Sequence, residues 1–250
     1  MIVEFSLVTL ELIQFMRDLY RQEMNCQIVH DSLHARYFTD IYSIRVNDRI
    51  AGYGCVMSGD SDAREMIKEF YLLPVYRAKA LPIFRRFAAE TAARTIEAQT
   101  NDNLLSLMLF DCATNLKSEK VLFRDAHTTS LVLPGVTFRR VAEPERDRIF
   151  PHKLEGVGDW LLEDDGEIVA TGGVYTHYNP PYGDVSMEVD ERRWRRGYGS
   201  YLVQELKRMA YEMGKIPAAR CNLANVASRA TLQKAGFLPC ARILRGVISL

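Results

Sequence analysis

Glu191-Arg192-Arg193-Trp194-Arg195-Arg196-Gly197-Tyr198-Gly199-Ser200 joins two stretches of different periodicity. Before it, Asp184-Val185-Ser186-Met187-Glu188-Val189 reads as a strand. After it, Leu202, Leu206, Met209 and Met213 recur at helical spacing. A strand, a basic glycine turn and a helix start together make an anion site. Glycine lets the backbone fold tightly and approach a ligand, and the first-turn N–H groups of a helix have no intrahelical partner. Such a cradle suits a pyrophosphate.

Composition narrows what the cradle serves. A chain of 250 residues accommodates one large domain or two ordinary ones, and 48% hydrophobic content supports a packed core. Its 32 basic and 32 acidic residues cancel, which argues against a general nucleic-acid binder, so Arg192, Arg193, Arg195 and Arg196 are read locally. The five cysteines (Cys26, Cys55, Cys112, Cys221, Cys240) are odd in number and lack CxxC spacing. That pattern suggests a reducing compartment without structural zinc, and no His/Cys/Asp cluster has metal-ligand spacing. Glu4 and Glu11 interrupt the apolar N-terminus, there is no basic n-region or A-x-A site, and no apolar run can span a bilayer. A cytoplasmic protein with no membrane partner and no bound metal is expected.

The chain also repeats itself. Trp160 to Ala170 has a hairpin signature with Asp165-Gly166 at the turn, and Tyr42 to Ala51 follows the same plan around Asn47-Asp48. Both continue into small, glycine-bearing strands, Gly52-Tyr53-Gly54-Cys55-Val56 and Thr171-Gly172-Gly173-Val174. Val75-Tyr76-Arg77-Ala78-Lys79-Ala80-Leu81-Pro82 occupies the place of the glycine turn, with Ala80 opposite Gly197 and Pro82 opposite Gly199. A third match sets Asn115 to Ser118 against Asn225 to Ser228. Two related α/β units are therefore expected, residues 1–130 and 131–250, joined near Ala126 to Pro134. The first has room for a long helix from about Val8 to Met24, with Leu12, Phe15, Met16 and Leu19 on one face. The second has little room for one between Val141 and Asp159. Alanine resists positive φ and proline lacks an N–H, so the N-terminal turn is a poor phosphate cradle. One working site, in the C-terminal half, is expected.

The strand 187–189, the turn Arg195-Arg196-Gly197-Tyr198-Gly199 with its helix, and Asn225-Val226-Ala227-Ser228 through Lys234-Ala235-Gly236-Phe237 resemble the GNAT superfamily of acyl-CoA-dependent N-acetyltransferases. The resemblance covers roughly Phe138 to Ile248 well and the first half only as a degenerate copy. It implies two units, each a mixed, mainly antiparallel sheet splayed between two central strands and flanked by helices, an α/β (α+β) fold. It implies acetyl-CoA as co-substrate: the backbone of Met187, Glu188 and Val189 along the pantetheine, and the N–H groups of Arg195, Arg196, Gly197, Tyr198, Gly199 and Ser200 on the pyrophosphate. Asn225 would lie along the pantetheine with Ser228 nearby, although both residue types also serve simply as helix caps. The family usually has Arg or Gln three residues before the first glycine, where this chain has Trp194. Its common general-acid tyrosine is Leu232 here.

Acyl transfer to an amine needs a neutral amine, a polarised thioester carbonyl and an exit for the thiolate. A free alkyl ammonium has a pKa near ~10.4, so a base or desolvation must remove its proton. Strand alternation puts Asp184, Ser186 and Glu188 on one face, making Asp184 and Glu188 the candidate bases, or else polar residues on a wet sheet face. The resemblance makes the N–H of Val189 the oxyanion contact. The aromatic loop Tyr175-Thr176-His177-Tyr178-Asn179-Pro180-Pro181-Tyr182 is either an acceptor wall, through Tyr175, His177, Tyr178 and Tyr182, or a rigid packed connection.

These residues point to an N-acetyltransferase using acetyl-CoA and a primary amine, small molecule or protein, in a ternary complex, as monomer or homodimer. The competing reading is a CoA-binding regulatory module without transfer activity. A dinucleotide oxidoreductase is disfavoured because Gly197-Tyr198-Gly199-Ser200-Tyr201-Leu202 fails the last glycine of G-x-G-x-x-G.

Overall fold

A computed structural model describes residues 1–25, 27, 30–36, 38–58, 64–152 and 156–250. Cys26 lies outside them; among the described cysteines, Cys55, Cys112 and Cys221 are buried and Cys240 is exposed. The chain divides into two compact units, one of residues 1–120 with 241–250, the other of residues 121–240. The last ten residues thus rejoin the first unit.

The first unit runs β1 (Val3–Leu7), α1 (Leu10–Met24), α2 (His30–Ala35), β2 (Thr39–Val46), β3 (Arg49–Ser58), β4 (Arg64–Leu72), a 3-10 turn (Pro74–Lys79), α3 (Ala80–Glu90), β5 (Thr95–Gln99) and α4 (Asn103–Cys112). Strands β1 to β4 form an antiparallel meander, and β4 pairs in parallel with β5 only at Met66↔Thr95 and Ile67↔Ile96. Beyond that point the ladder ends. Asn47 and Asp48 both take positive φ, the geometry of a type I′ hairpin, as the hairpin signature requires.

Helix α1 starts two residues later than expected and turns a different face inward. Ile13, Met16, Arg17, Tyr20 and Met24 are buried, while Leu12, Phe15 and Leu19 are exposed. Counting apolar residues alone misses this face because it carries a buried arginine. Arg17 forms an ion pair with Glu69 of β4, also fully buried, so the charge enters the core with its counter-ion. The third sequence match also fails: Asn115 to Ser118 lie in β6 (Ala113–Asp125), not at a helix start. The residue that does the work of Asn225 is Asp102, whose side chain caps α4 by accepting from the N–H of Leu105.

The second unit contains β7 (Thr137–Arg140), a 3-10 turn (Glu143–Arg148), β8 (Trp160–Asp164), β9 (Glu167–Tyr175), β10 (Tyr182–Val189), a 3-10 turn (Glu191–Arg193), α5 (Tyr198–Glu212), β11 (Ile216–Asn222), α6 (Val226–Lys234) and the start of β12 (Phe237–Ile248). Its strands lie in the order β6, β11, β10, β9, β8, β7. Asp165 and Gly166 have φ of 50° and 76°, a second type I′ hairpin. Parallel pairing of β10 with β11 stops at Asp184↔Ala218, so this unit has the same splay. In the short front expected for this half, the described residues form a 3-10 turn followed by a strap, residues 149–152 and 156–159, with no helix of α1's length among them. Helix α5 buries Leu202, Leu206 and Met209 against the sheet, whereas Met213 at its end is exposed.

Candidate active site

The register of β10 decides which backbone groups are available. Asp190 N–H donates to Val169 at 3.0 Å, and the pairing Glu188↔Thr171 and Met187↔Gly172 continues from it without a bulge. In an antiparallel ladder, alternate residues bond the neighbour. Ser186 and Glu188 therefore bond to β9, and Met187 and Val189 turn their N–H and C=O groups the other way, into the wedge that β11 has left. The strand thus offers an unpaired edge of the kind an extended, amide-containing chain can use. The indole N–H of Trp194 already donates to the Val189 carbonyl at 2.9 Å.

The turn beyond the strand is tightly specified. Arg195 has φ 63° and Gly197 φ 91°, which brings the chain into α5 with no side-chain hydrogen bond at the cap. A Cβ on Gly197 would meet only ordinary contacts, so its requirement is conformational. The requirement at Gly199 is spatial: a Cβ there would lie 3.1 Å from Thr231 Cγ2 and 3.4 Å from both Met187 and Val189 side chains. Close packing of the first turn of α5 onto β10 aims its uncapped N–H groups at the mouth of the wedge. Ala80, at the equivalent place in the first unit, has φ −58° and offers no such turn.

The four arginines divide in two. Arg192 pairs with Asp190 at 2.6 Å, holding that carboxyl below its usual range, and Arg193 pairs with Glu167. Arg195 and Arg196 are exposed, and among the described residues neither forms an ion pair. Tyr198 is buried and donates to Asp164, whose carboxylate pushes the phenol upward; it is a structural anchor for the helix start. Ser200 is buried in the same turn. A phosphate group suits this end of α5, with N–H groups, the exposed Arg195 and Arg196 (the latter also contacting the Tyr198 hydroxyl) and the positive end of the helix dipole close to it.

Asn225 caps α6, its Oδ1 accepting from the N–H of Ser228 at 2.9 Å. That bond leaves the Asn225 side-chain amide N–H groups outside the cap. Leu232 is buried in the core and has no proton to give. Burial raises the thiol of Cys221, on β11, above its usual range, with Ser228 pulling the other way.

Alternation holds on β10: Met187 and Val189 face α5, while Asp184, Ser186 and Glu188 face the strap. Asp184 and Glu188 are four residues apart on one strand, ~13 Å along it, so one acceptor nitrogen does not touch both. Each has its own histidine. At the closed end of the wedge, Asp184 is bonded by His177 Nε2 at 2.9 Å, with Arg220 Nε at 3.9 Å. His177 stacks on Tyr175, and Tyr178 is buried edge-on to it beneath the guanidinium of Arg220. Tyr182 is buried at the start of β10. At the open end, His152 Nδ1 lies 3.8 Å from Glu188 Oε2, its Nε2 is bonded to Thr171 Oγ1 at 2.7 Å, and its ring stacks on Phe150.

His152 and Arg220 are the residues that motif reading missed. His152 sits in the strap, which crosses the sheet where Gly158 packs against Gly172 and Gly173, so close that a Cβ would be 2.1 Å from backbone atoms. The paired glycines of β9 were the available signal that something passes over the strand. Arg220 had no local signal. Among the described residues no group of three or more His, Cys, Asp or Glu is placed to hold a metal ion, and no helix is long and apolar enough to cross a membrane.

Comparison with known proteins agrees with this geometry. The acetyltransferase (GNAT) family profile matches residues 129–237. No curated protein matches the chain. An acetyltransferase from the GNAT family of Colwellia psychrerythraea superposes with a TM-score of 0.73 at 13% identity, covering 100% of both chains. A tandem GNAT protein from the clavulanic acid biosynthesis pathway gives 0.59 at 13% identity over 100% of this chain and 99% of its own. A GCN5-related N-acetyltransferase from Sphaerobacter thermophilus gives 0.52 at 16% identity over 84% and 81%. At such identities these structures establish the fold alone. With the family match, the wedge and the glycine turn, they support one conclusion: residues 129–237 match the acetyltransferase (GNAT) family, in a chain that has the fold of tandem GNAT proteins over its whole length.

Proposed function

We propose that this chain transfers an acetyl group from acetyl-CoA to a primary amine by direct attack in a ternary complex, with the working site in residues 131–250 and a degenerate copy in residues 1–130. The observation that carries the reading is the continuity of the β10 edge with the uncapped start of α5. Backbone groups of Met187 and Val189 face the open wedge, and they lead straight to the N–H groups of Gly197 to Ser200.

In this reading the N–H groups of Arg195 to Ser200, with the side chains of Arg195 and Arg196, hold the pyrophosphate. The edge of Met187 to Val189 and the free amide of Asn225 hold the pantetheine, with Ser228 beside it. When bound, acetyl-CoA supplies the thioester whose C–S bond breaks as the amine nitrogen forms the new C–N bond. The N–H of Val189 polarises the carbonyl. Glu188 receives the amine proton at an Oε atom, and His152 orients that carboxylate. Asp184 orients His177 at the closed end of the wedge, where Tyr175, Tyr178 and Tyr182 form the wall against which the acceptor lies. No proton donor is assigned to the leaving sulfur, and a thiol of pKa near ~8.5 leaves as thiolate without one.

Thermal unfolding with and without acetyl-CoA, together with chromatographic detection of CoA released in the presence of an amine panel, tests the proposal. Acetyl-CoA should raise the melting temperature of the wild type and not of Gly197→Pro. Equal stabilisation of both proteins would remove the site from this turn, and binding without CoA release for any amine would refute transfer.

A further inference from the structure

Arg220 is oriented in a way that neutralising Asp184 does not explain. A guanidinium recruited only to balance a carboxylate meets it fork to fork, through two parallel N–H···O bonds. Here the nearest approach to Asp184 is by Nε, at 3.9 Å, so both terminal nitrogens stand at least that far from the carboxylate. Asp184 already receives His177. The guanidinium plane is supported instead on the ring of Tyr178, 5.5 Å from its centroid, and its side chain is 27% exposed. Among the described residues none accepts a hydrogen bond from those terminal nitrogens. Ala218 pairs with Asp184, so Arg220, two residues on, shares its face and stands across the wedge from Ser186. The fork is thus presented on the side of the sheet where Asp184, Ser186 and Glu188 await an acceptor.

Resting on the acetyl-transfer reading above, we infer that Arg220 is a specificity residue and that the acceptor is an amine that also bears a carboxylate, which the Arg220 fork holds. Among the described residues, the other ionisable groups on this face, Glu188 with His152 and Asp184 with His177, suit the ammonium end and repel a second negative charge, which leaves the carboxylate to Arg220. From its place across from Ser186, the Arg220 guanidinium reaches back to within 3.9 Å of Asp184, and Glu188 lies ~13 Å along the strand from that carboxylate's residue. Allowing a hydrogen bond of about 2.9 Å at each end leaves roughly 7 Å between acceptor nitrogen and carboxylate. That span fits an ω-amino acid or a dipeptide better than an α-amino acid, whose two groups share one carbon.

The test uses the full chain with acetyl-CoA and measures CoA release for glycine, 4-aminobutanoate, 6-aminohexanoate and glycylglycine, each beside its carboxamide. Calorimetric titration of hexanoate against hexanamide, with CoA present, gives a readout independent of turnover. The carboxylates should exceed their amides in kcat/KM by about 10- to 100-fold, through KM, with 6-aminohexanoate and glycylglycine ahead of glycine. Hexanoate should bind more tightly than hexanamide. Arg220→Gln should collapse both preferences and Arg220→Lys restore part of them, with melting curves confirming that the variants fold. Equal use of acid and amide by the wild type, or an undiminished preference in Arg220→Gln, would overturn the inference. If acetyl-CoA fails to stabilise the wild type, the parent reading falls instead, so the two failures are distinguishable.

Discussion

The indole N–H of Trp194 donates to the carbonyl of Val189 at 2.9 Å, closing part of the strand edge from the position the family usually fills with Arg or Gln. Trp194 is 58% exposed, so the ring lies over the edge without being locked into the core. That carbonyl is one of the four backbone groups Met187 and Val189 turn toward the wedge.

If the indole competes with the cofactor for this carbonyl, removing its N–H should help binding. Trp194→Phe is expected to bind acetyl-CoA about 2- to 10-fold more tightly, the worth of one such hydrogen bond. Calorimetric titration measures it. Weaker binding by Trp194→Phe would mean that the indole holds the cofactor rather than competing with it.

Glu188 and His152 should behave as a unit. Glu188→Gln is expected to lower kcat by about 10²- to 10⁴-fold while acetyl-CoA still raises the melting temperature. His152→Gln, adding to that background, should cost little more, because groups that act together are not additive. Fully additive losses would separate the histidine from the carboxylate and assign Glu188 a different role.

The crowding at Gly199 is specific enough to relieve. Gly199→Ala places a methyl 3.1 Å from Thr231 Cγ2 and should destabilise the second unit by about 1–3 kcal/mol. Thr231→Ser deletes that methyl, and the double variant should recover more than half of the loss in urea unfolding. No recovery would place the strain against Met187 and Val189 instead.

Stability of the first unit should fall with rising pH because of Asp102. Burial pushes its carboxyl up to about 7, against the pull of the Leu105 N–H and the Tyr20 hydroxyl, which it accepts at 3.2 Å. The folded state therefore keeps a proton that the unfolded chain has released, and the stability this confers is full below pH ~4 and lost as pH rises through 7. Asn caps a helix as well as Asp and does not ionise. Asp102→Asn should match the wild type near pH 4 and exceed it by on the order of 4 kcal/mol at pH 8, in denaturant titrations at several pH values. A pH-independent difference would contradict this.

Local chemistry made much of the molecule readable in advance. The two hairpins announce themselves because Asn47-Asp48 and Asp165-Gly166 tolerate positive φ at both turn positions. Gly197 and Gly199 are legible for different reasons, one conformational and one steric, that lead to the same letter. What was not legible depends on contacts distant in sequence. The inward face of α1 is set by the pairing of Arg17 with Glu69, 52 residues away. His152 meets Glu188 from a segment distant in sequence, one whose Gly158 packs on Gly172 and Gly173. Asn115 resembled Asn225 in letters, while Asp102 matches it in function, since a cap is defined by its place before a helix and by an oxygen, and either residue supplies one.

The return of residues 241–250 to the first unit has a consequence for how the protein is made. Strand β5 takes Ile243 to Val247 of β12 as an antiparallel neighbour, and Ile248 N–H donates to Arg94. On the ribosome, the first unit must wait with β5 uncovered on one side until the entire second unit has been translated. An uncovered strand edge invites pairing with other chains. Nascent chains halted after residue 120 should therefore need chaperone protection, and the second unit's rate of synthesis sets how long the first remains incomplete.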